Sequence, residues 1–291
     1  NGFEFTGGSF NNSGMSFIYL AIAADGSTAT PSLANSFATD IYNGNGSSQN
    51  ITTTGFKPDF TWIKCRDNTN QHSLFDSVRG AGRLLSSQNT DAQSGNPGNL
   101  LGSFNSNGFE VNRNYLSYTA HDNTNNTYPY VAWSWKAGGT ASINTDGTIT
   151  SVVSANQAAG FSVVSYTANA TSGATIGHNL GGEPDMVIVK STNLTQSWNT
   201  YIKDITDTNA KYLMLNSDSA ISSTANPRFI PGNFSSTVFS VGNDNSTNGI
   251  SGTDKYIAYC FTSISGYSKV GTYTGLGSGG PLTVNMGFAP T

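Results

Sequence analysis

The chain has 291 residues and a formal net charge of −4, and only 10% of its residues are charged, against about 25% in typical soluble domains. Its 13 lysines and arginines stand singly rather than in a basic stripe, so nucleic-acid binding is not expected. No apolar run approaches the roughly 18–20 residues of a membrane span, and membrane insertion is not expected either. The polar, uncharged composition, with 11% aromatic residues, is typical of secreted and virion β-proteins and predicts an extracellular or virion location.

Four sequence anchors recur in the same order along the chain, and they predict tandem copies of one unit. The clearest pair is 55–64 (GFKPDFTWIK) and 182–190 (GEPDMVIVK), in which Pro-Asp precedes an apolar run that ends in lysine. The closing anchor at 130–135 (YVAWSW) matches 256–261 (YIAYCF) and also 17–22 (FIYLAI).

These anchors divide the chain into five segments. In chain order we expect residues 1–26 to be the end of a preceding unit, 27–138 the first full unit, 139–159 a linker or added β-ribbon, 160–265 the second full unit, and 266–291 the start of a further unit. Because the first and last segments each match only part of a unit, we expect the chain to be a piece of a longer polypeptide.

The anchors have the alternation of β-strands. Val131, Trp133 and Trp135 fall on one face of a strand, with smaller or polar residues between them, and residues 256–261 repeat the pattern. β-branched and aromatic residues fill these runs, while Gly, Asn, Asp and Ser bound them. The sequence therefore predicts an all-β fold of tandem β-sandwich units, jelly-roll or concanavalin-like.

The two cysteines, Cys65 and Cys260, are too few for a disulfide framework or a zinc site. The repeat aligns Cys65 with Ser191, and Cys260 with Ser134 and Ala21. A position that accepts Ser or Ala needs a small residue rather than a thiol, so we expect two small packed side chains that do not bond to each other.

No catalytic constellation emerges from the sequence. Asp76 lies three residues before Arg79, but the second unit has no acid there, which favours a structural ion pair over a catalytic carboxylate. Asp59 and Asp185 recur directly after a proline, where an aspartate usually makes turn hydrogen bonds. The histidines stand apart from any second ligand, and they are His72, His121 and His178. We expect no enzyme activity, no metal and no cofactor.

Asparagine-rich loops before the closing strands are the best binding candidates. They span residues 121–128 and 243–249, and their amides can both donate and accept hydrogen bonds, as sugar hydroxyls require. A plain polar loop is the competing interpretation. The candidate ligand-binding residues are Asn123, Asn125, Asn126, Tyr128, Asn245 and Asn248.

Several motifs together resemble modules repeated in long structural proteins of marine tailed bacteriophages. They are 55–64 (GFKPDFTWIK), 74–80 (LFDSVRG), 103–109 (SFNSNGF), 130–139 (YVAWSWKAGG), 144–150 (NTDGTIT), 177–181 (GHNLG) and 236–242 (STVFSVG). The resemblance covers nearly the whole chain and implies concanavalin-like sandwich modules in a tail-fibre-like or host-recognition protein.

The resemblance favours a virion appendage, such as a tail fibre, spike or capsid fibre, that presents repeated modules for host-surface attachment. Its expected partners are further copies of itself, most simply in a trimer, other virion proteins and host-surface glycan. A bacterial cell-surface adhesin or an extracellular sheath or filament component is the alternative interpretation, and a glycan-degrading tailspike is a weaker third.

Overall fold

The computed structural model describes residues 2–6, 8–23, 35–94, 100–112, 128–205, 211–249, 251–277 and 280–290. These residues form an all-β structure, which confirms the predicted fold class: they contain no α-helix and only two 3₁₀ turns, at Ser9–Asn11 and Pro231–Asn233. The strands are β1 (Gly2–Phe5), β2 (Ser16–Ile22), β3 (Phe37–Asn43), β4 (Gln49–Ile51), β5 (Phe60–Cys65), β6 (Ser73–Asp76), β7 (Leu101–Asn105), β8 (Gly108–Val111), β9 (Pro129–Trp135), β10 (Ser142–Asn144), β11 (Ser151–Asn156), β12 (Phe161–Thr167), β13 (Ala174–Gly177), β14 (Met186–Ser191), β15 (Asn199–Ile202), β16 (Lys211–Met214), β17 (Ser222–Ser223), β18 (Val238–Val241), β19 (Lys255–Phe261), β20 (Ser268–Thr274) and β21 (Leu282–Asn285).

The first full unit has a four-stranded sheet, in the order β3-β9-β5-β6, and a three-stranded sheet, in the order β4-β8-β7. Tyr42, Ile63 and Tyr130 from the larger sheet are buried in one cluster with Phe109 and Val111 from the smaller one. Two antiparallel sheets that share one core are consistent with a β-sandwich.

The second full unit repeats this arrangement in a larger form. Its main sheet has eight strands, in the order β10-β11-β12-β19-β14-β15-β16-β17, and β13 pairs with β18. The segment expected as a linker or ribbon supplies β10 and β11, which extend this sheet beyond β12. Tyr166, Val189 and Tyr256 from the main sheet share a core with Ile176 and Phe239 from the smaller sheet.

The two ends of the chain, assigned from the sequence to different units, pair with each other. β2 pairs with β20 over seven residues, and β1 pairs with β21 over four. The pairing of β2 with β20 corresponds to that of β9 with β3 in the first unit and of β19 with β12 in the second. The pairing of β1 with β21 corresponds to that of β8 with β4 and of β18 with β13. The ends therefore form a third, smaller copy of the same strand arrangement, which the sequence analysis did not foresee.

An aromatic pair lies at the equivalent position of all three copies. Tyr42 stacks on Tyr130 with ring centroids 5.2 Å apart and an interplanar angle of 16°. The corresponding values are 5.3 Å and 17° for the pair Tyr166 and Tyr256, and 5.1 Å and 15° for the pair Phe17 and Tyr273. Because the three pairs share one register, the same cross-strand contact, worth about 0.5–1.5 kcal/mol beyond area burial, stabilises each copy.

A glycine requirement also recurs in the first and third copies. A Cβ atom at Gly108 would lie 1.9 Å from the carbonyl oxygen of Ile51, and one at Gly2 would lie 2.0 Å from that of Val284. Both glycines have φ near +155°, with values of 158° and 154°. Any side chain would collide with the partner strand at either position, so close backbone approach requires glycine in both copies.

One large apolar cluster joins the three copies. It contains Phe60 and Trp135 from the first copy, Phe161 and Tyr259 from the second, and Ile22 from the third. The closing strand β19 lies between this cluster and the core of its own unit, which explains why its residues from Tyr256 to Phe261 are all buried. β9 is covered less completely, since Val131 and Trp133 on its outer face are only half-buried.

Cys65 and Cys260 are both free and buried. No helix in the described part of the chain is long and apolar enough to cross a membrane.

Candidate functional site

The first candidate loop falls mostly outside the described residues. Asn123, Asn125 and Asn126 lie there, as does His121. Tyr128 is described: it is half-buried, packs against the core of the first unit, and its carbonyl oxygen accepts a 3.0 Å hydrogen bond from the amide of Gly44. Tyr128 is therefore only partly accessible to solvent.

The second candidate loop is fully described, and Asn248 is completely buried in it. Its Nδ2 donates to Asn169 Oδ1 at 3.2 Å and to the carbonyl oxygen of Thr171 at 2.9 Å. Its Oδ1 accepts a 3.0 Å hydrogen bond from the amide of Asn169. This side chain fixes one loop to another, so it is not part of a surface that could meet a ligand, contrary to the role expected from the sequence.

Asn245 is only half-buried, and its surroundings fix the backbone of the loop. Its carbonyl oxygen accepts a 2.7 Å hydrogen bond from the Tyr256 hydroxyl. The neighbouring Asp244 forms an ion pair with Arg228, whose guanidinium carbon lies 4.9 Å from the ring centroid of Tyr212. Of the two asparagines chosen in this loop, Asn245 is half-buried and Asn248 is buried.

Asp76, the carboxylate that the sequence analysis weighed as a catalytic candidate, is fully buried in a hydrogen-bond network that joins two units. Arg79 donates to it from Nε at 2.5 Å and from its backbone amide at 2.7 Å. The Tyr259 hydroxyl of the second unit donates to the same carboxylate at 2.8 Å. Burial alone would lower the pKa of Arg79, but the negative charge of Asp76 and the contact with Tyr259 raise it above its ordinary value. A buried charge with these partners is structural, as the sequence favoured.

The recurring aspartates also have structural partners. Asp59 accepts hydrogen bonds from the Ser77 hydroxyl at 2.8 Å and from the amides of Ala137 and Gly139 at 2.8 and 3.2 Å. Asp185 accepts one from the amide of Ser263 at 2.7 Å. In each unit the aspartate thus fixes the chain two residues after its closing strand. Burial raises the pKa of Asp59, although these donors partly offset the effect.

The described histidines are neutral, hydrogen-bonded groups. His178 is fully buried: its Nδ1 accepts from the amide of Leu180 at 3.2 Å, so Nε2 carries the proton and donates to the Ser235 carbonyl at 3.3 Å. Burial lowers the pKa of His178 to about 4. His72 Nδ1 accepts a 2.7 Å hydrogen bond from Trp62 Nε1, and burial lowers its pKa as well. Within the described residues no group of three His, Cys, Asp or Glu side chains could hold a metal ion.

An aromatic cleft of about 470 Å³ is the feature that the sequence analysis missed. It opens between the outer face of the first unit and the third copy. Its lining residues are Phe3, Leu20, Ala21, Ile22, Phe37, Trp62, His72, Trp133, Trp135 and Pro290. The alternation of residues 130–135 predicts that Trp133 and Trp135 share one face, but no local pattern indicates that part of this face stays open. We name this feature the aromatic cleft.

A family model matches residues 32–291, and its description is a domain of unknown function, DUF7483. The chain belongs to this family. The matched range contains both full units together with β20 and β21, whereas β1 and β2 precede it. No curated protein and no solved structure is detectably similar to this chain.

Proposed function

We propose that the chain is a structural module of a virion appendage, such as a tail fibre, spike or capsid fibre, that presents repeated β-units for attachment to a host surface. In this proposal each unit is a jelly-roll or concanavalin-like sandwich, as in the phage modules that the sequence resembles. The protein works outside the cell, as part of the particle.

The observation that carries the proposal is the threefold recurrence of one strand arrangement around a stacked aromatic pair. Repetition of a unit of this size extends a molecule and multiplies its contacts, which suits an appendage better than a single active site. The apolar cluster shared by the copies supports a rigid module rather than independent domains joined by flexible linkers.

The proposed role is non-enzymatic. A hydrolase of glycans needs two carboxylates held at a set separation beside an accessible substrate site. Asp59 and Asp76 are instead buried, and each is engaged by several donors from its surroundings. These contacts hold both carboxylates inside the protein and leave neither free to approach a sugar.

Recognition in this proposal is weak contact with surface glycan, made by the loops that precede the closing strands. The described candidates are Asn245 and Tyr128, both half-buried, and the other candidates are Asn123, Asn125 and Asn126, which precede Tyr128 in the sequence. Single contacts of this kind bury little area. Association into a trimer with other copies and with virion proteins would raise the avidity by roughly 10²–10⁴-fold through effective concentration.

Two measurements test this function. Peptide mass spectrometry of purified phage particles should find the chain as a particle component, whereas recovery only from bacterial cell envelopes would favour an adhesin or sheath protein. The purified chain should bind bacterial surface polysaccharide on an array without releasing reducing ends. Release of reducing ends would instead identify a tailspike enzyme.

Variants locate the glycan site. Asn245→Ala and Tyr128→Ala should weaken polysaccharide binding, while the matched control Asn12→Ala, at an exposed asparagine of the third copy, should not. Equal binding by all three folded variants would show that these loops are only polar surface, and the protein would then be a spacer.

A further inference from the structure

One edge of β2 has no partner among the described strands. The amide of Ala23 donates to the carbonyl oxygen of Tyr267 at 2.7 Å, which fixes the register of β2 on β20. Because backbone groups of an antiparallel strand alternate between its two edges, the N–H and C=O groups of Ile18, Leu20 and Ile22 point away from β20. These groups form a ladder of donors and acceptors at an open edge.

The equivalent edge is occupied in both full units. β9 carries β5 on this edge, and β19 carries β14. The amide of Asp59 donates to the carbonyl oxygen of Trp135 at 2.8 Å, and that of Asp185 to Phe261 at 2.8 Å. Ile22 stands at the corresponding position of β2. β5 and β14 are therefore two examples, within the same chain, of the kind of strand that this edge accepts.

The aromatic cleft lies beside the same edge. Leu20 and Ile22, on the outer face of β2, form one wall, and Trp62 and Trp133 of the first unit line the opposite side. In the second unit the outward side chains of β14, Met186 and Ile188, belong to the apolar cluster that joins the copies. A strand seated on β2 would project its outward side chains into the aromatic cleft in the same way.

We propose that β2 and the aromatic cleft form an acceptor site for one extended polypeptide strand of the type found in β5 and β14: Pro-Asp, then alternating apolar residues, then Lys. Main-chain hydrogen bonds to β2 supply affinity, and apolar side chains at every second position fill the cleft and supply selectivity, as in other cases of β-strand addition. The site is an interaction surface for a further repeat strand supplied in trans, and its existence does not depend on the proposed function.

The chemistry of the occupant follows from the cleft. Its wall is aromatic and aliphatic, with His72 as a lone polar side chain. A strand with charged residues at its outward positions would be desolvated there without a partner, which is unfavourable. Met186 and Ile188 are apolar side chains that already pack in an equivalent apolar environment, the cluster that joins the copies.

The test uses a fluorescent peptide with the sequence of residues 183–191 and the intact chain, followed by fluorescence anisotropy. Saturable binding is expected for this peptide but not for a scrambled peptide of equal composition. The backbone amide of Thr192 donates to the carbonyl oxygen of Lys255 on β19 at 2.8 Å, and the backbone amide of Lys203, next to β15, donates to the carbonyl oxygen of Asp185 at 2.8 Å. Because these groups alternate along a strand, the amide of Ile188 faces β19 and the amide of Val189 faces β15. An N-methyl group on Ile188 should therefore weaken binding at least about tenfold, the effect of about 1.4 kcal/mol, while one on Val189 should change it little.

Two proline variants of the chain give an independent check. Ile18→Pro removes an amide from the open edge of β2 and should abolish binding. Ile41→Pro is the matched control, since Ile41 is 65% exposed and its amide points away from β9, the partner of β3 among the described strands. No saturable binding, equal binding of the two N-methyl peptides, or binding of the scrambled peptide would each overturn the proposal. The peptide pair keeps the test decisive even where Ile18→Pro fails to fold.

Discussion

The Tyr259 hydroxyl donates a 2.8 Å hydrogen bond to the carboxylate of Asp76, across the boundary between the second full unit and the first. Tyr259→Phe should lower the free energy of unfolding by about 1–3 kcal/mol, because a buried charged acceptor loses a donor. Asp76→Ala should cost about 3–5 kcal/mol, since it leaves Arg79 buried without its counter-charge. Urea unfolding measures both values.

The control for this pair is Tyr273→Phe. Its hydroxyl donates to the carbonyl of Phe10 at 3.0 Å in an exposed setting, where a lost hydrogen bond is replaced by water. We expect a change within about 0.5 kcal/mol. If Tyr259→Phe is as mild as Tyr273→Phe, the contact between the units is not a stabilising one.

His178 should make stability depend on pH. Its folded pKa of about 4 lies below the value of about 6.5 expected in the unfolded chain. The unfolded state therefore binds the proton first, and stability should fall by up to about 3 kcal/mol as the pH drops from about 6.5 to about 4. Thermal or urea unfolding across this range should show a flatter profile for His178→Gln.

Asp59 acts in the opposite direction, because burial raises its pKa and a raised carboxyl pKa favours the folded state as the pH falls. Both proteins in the comparison retain Asp59, so the difference between their profiles isolates His178. Identical profiles would show that His178 has the same pKa in the folded and unfolded states.

The two loop asparagines should respond differently to truncation. Asn248→Ala removes the three hydrogen bonds that a fully buried side chain makes to Asn169 and Thr171, and it should cost about 1–3 kcal/mol. Asn245→Ala should cost less, because Asn245 is only half-buried. Urea unfolding of the two variants decides this, and a destabilising Asn245→Ala beside a neutral Asn248→Ala would reverse the assignment.

The sequence repeat predicted most of the strands, because alternation and turn residues are local signals. It placed the closing strands 130–135 and 256–261 in equivalent positions, and their pairing with β3 and β12 has the same register. The pairing of β2 with β20 could not be found in this way, since it joins residues about 250 positions apart in the sequence. The two end segments were read as separate units for that reason.

The candidate site was harder to predict for a related reason. Asn245 and Asn248 are three residues apart and chemically identical. Asn248 nevertheless differs from Asn245, because it is buried and hydrogen-bonds to Asn169 and Thr171. The aromatic cleft depends on how completely the copies cover one another's outer faces. Neither property is encoded in a local pattern of residue types.

Cys260 should tolerate replacement by serine. The equivalent positions in the other copies are Ser134 and Ala21, and Ser162 lies directly opposite Cys260 on β12, where its hydroxyl interacts with the thiol. A serine hydroxyl at position 260 can take over that interaction, so we expect a change within about 1 kcal/mol. Burial raises the pKa of the Cys260 thiol, and the folded protein should resist thiol reagents such as Ellman's reagent. Rapid labelling of Cys260 under native conditions would contradict its buried position.

One strand arrangement occurs three times in this chain, the third time from its two ends. A crystal structure of residues 1–291 can test this by superposing β3 with β9, β12 with β19, and β20 with β2. We expect the ring pairs Tyr42 and Tyr130, Tyr166 and Tyr256, and Tyr273 and Phe17 to coincide in all three. Separation of β2 from β20, or a different register between them, would contradict it.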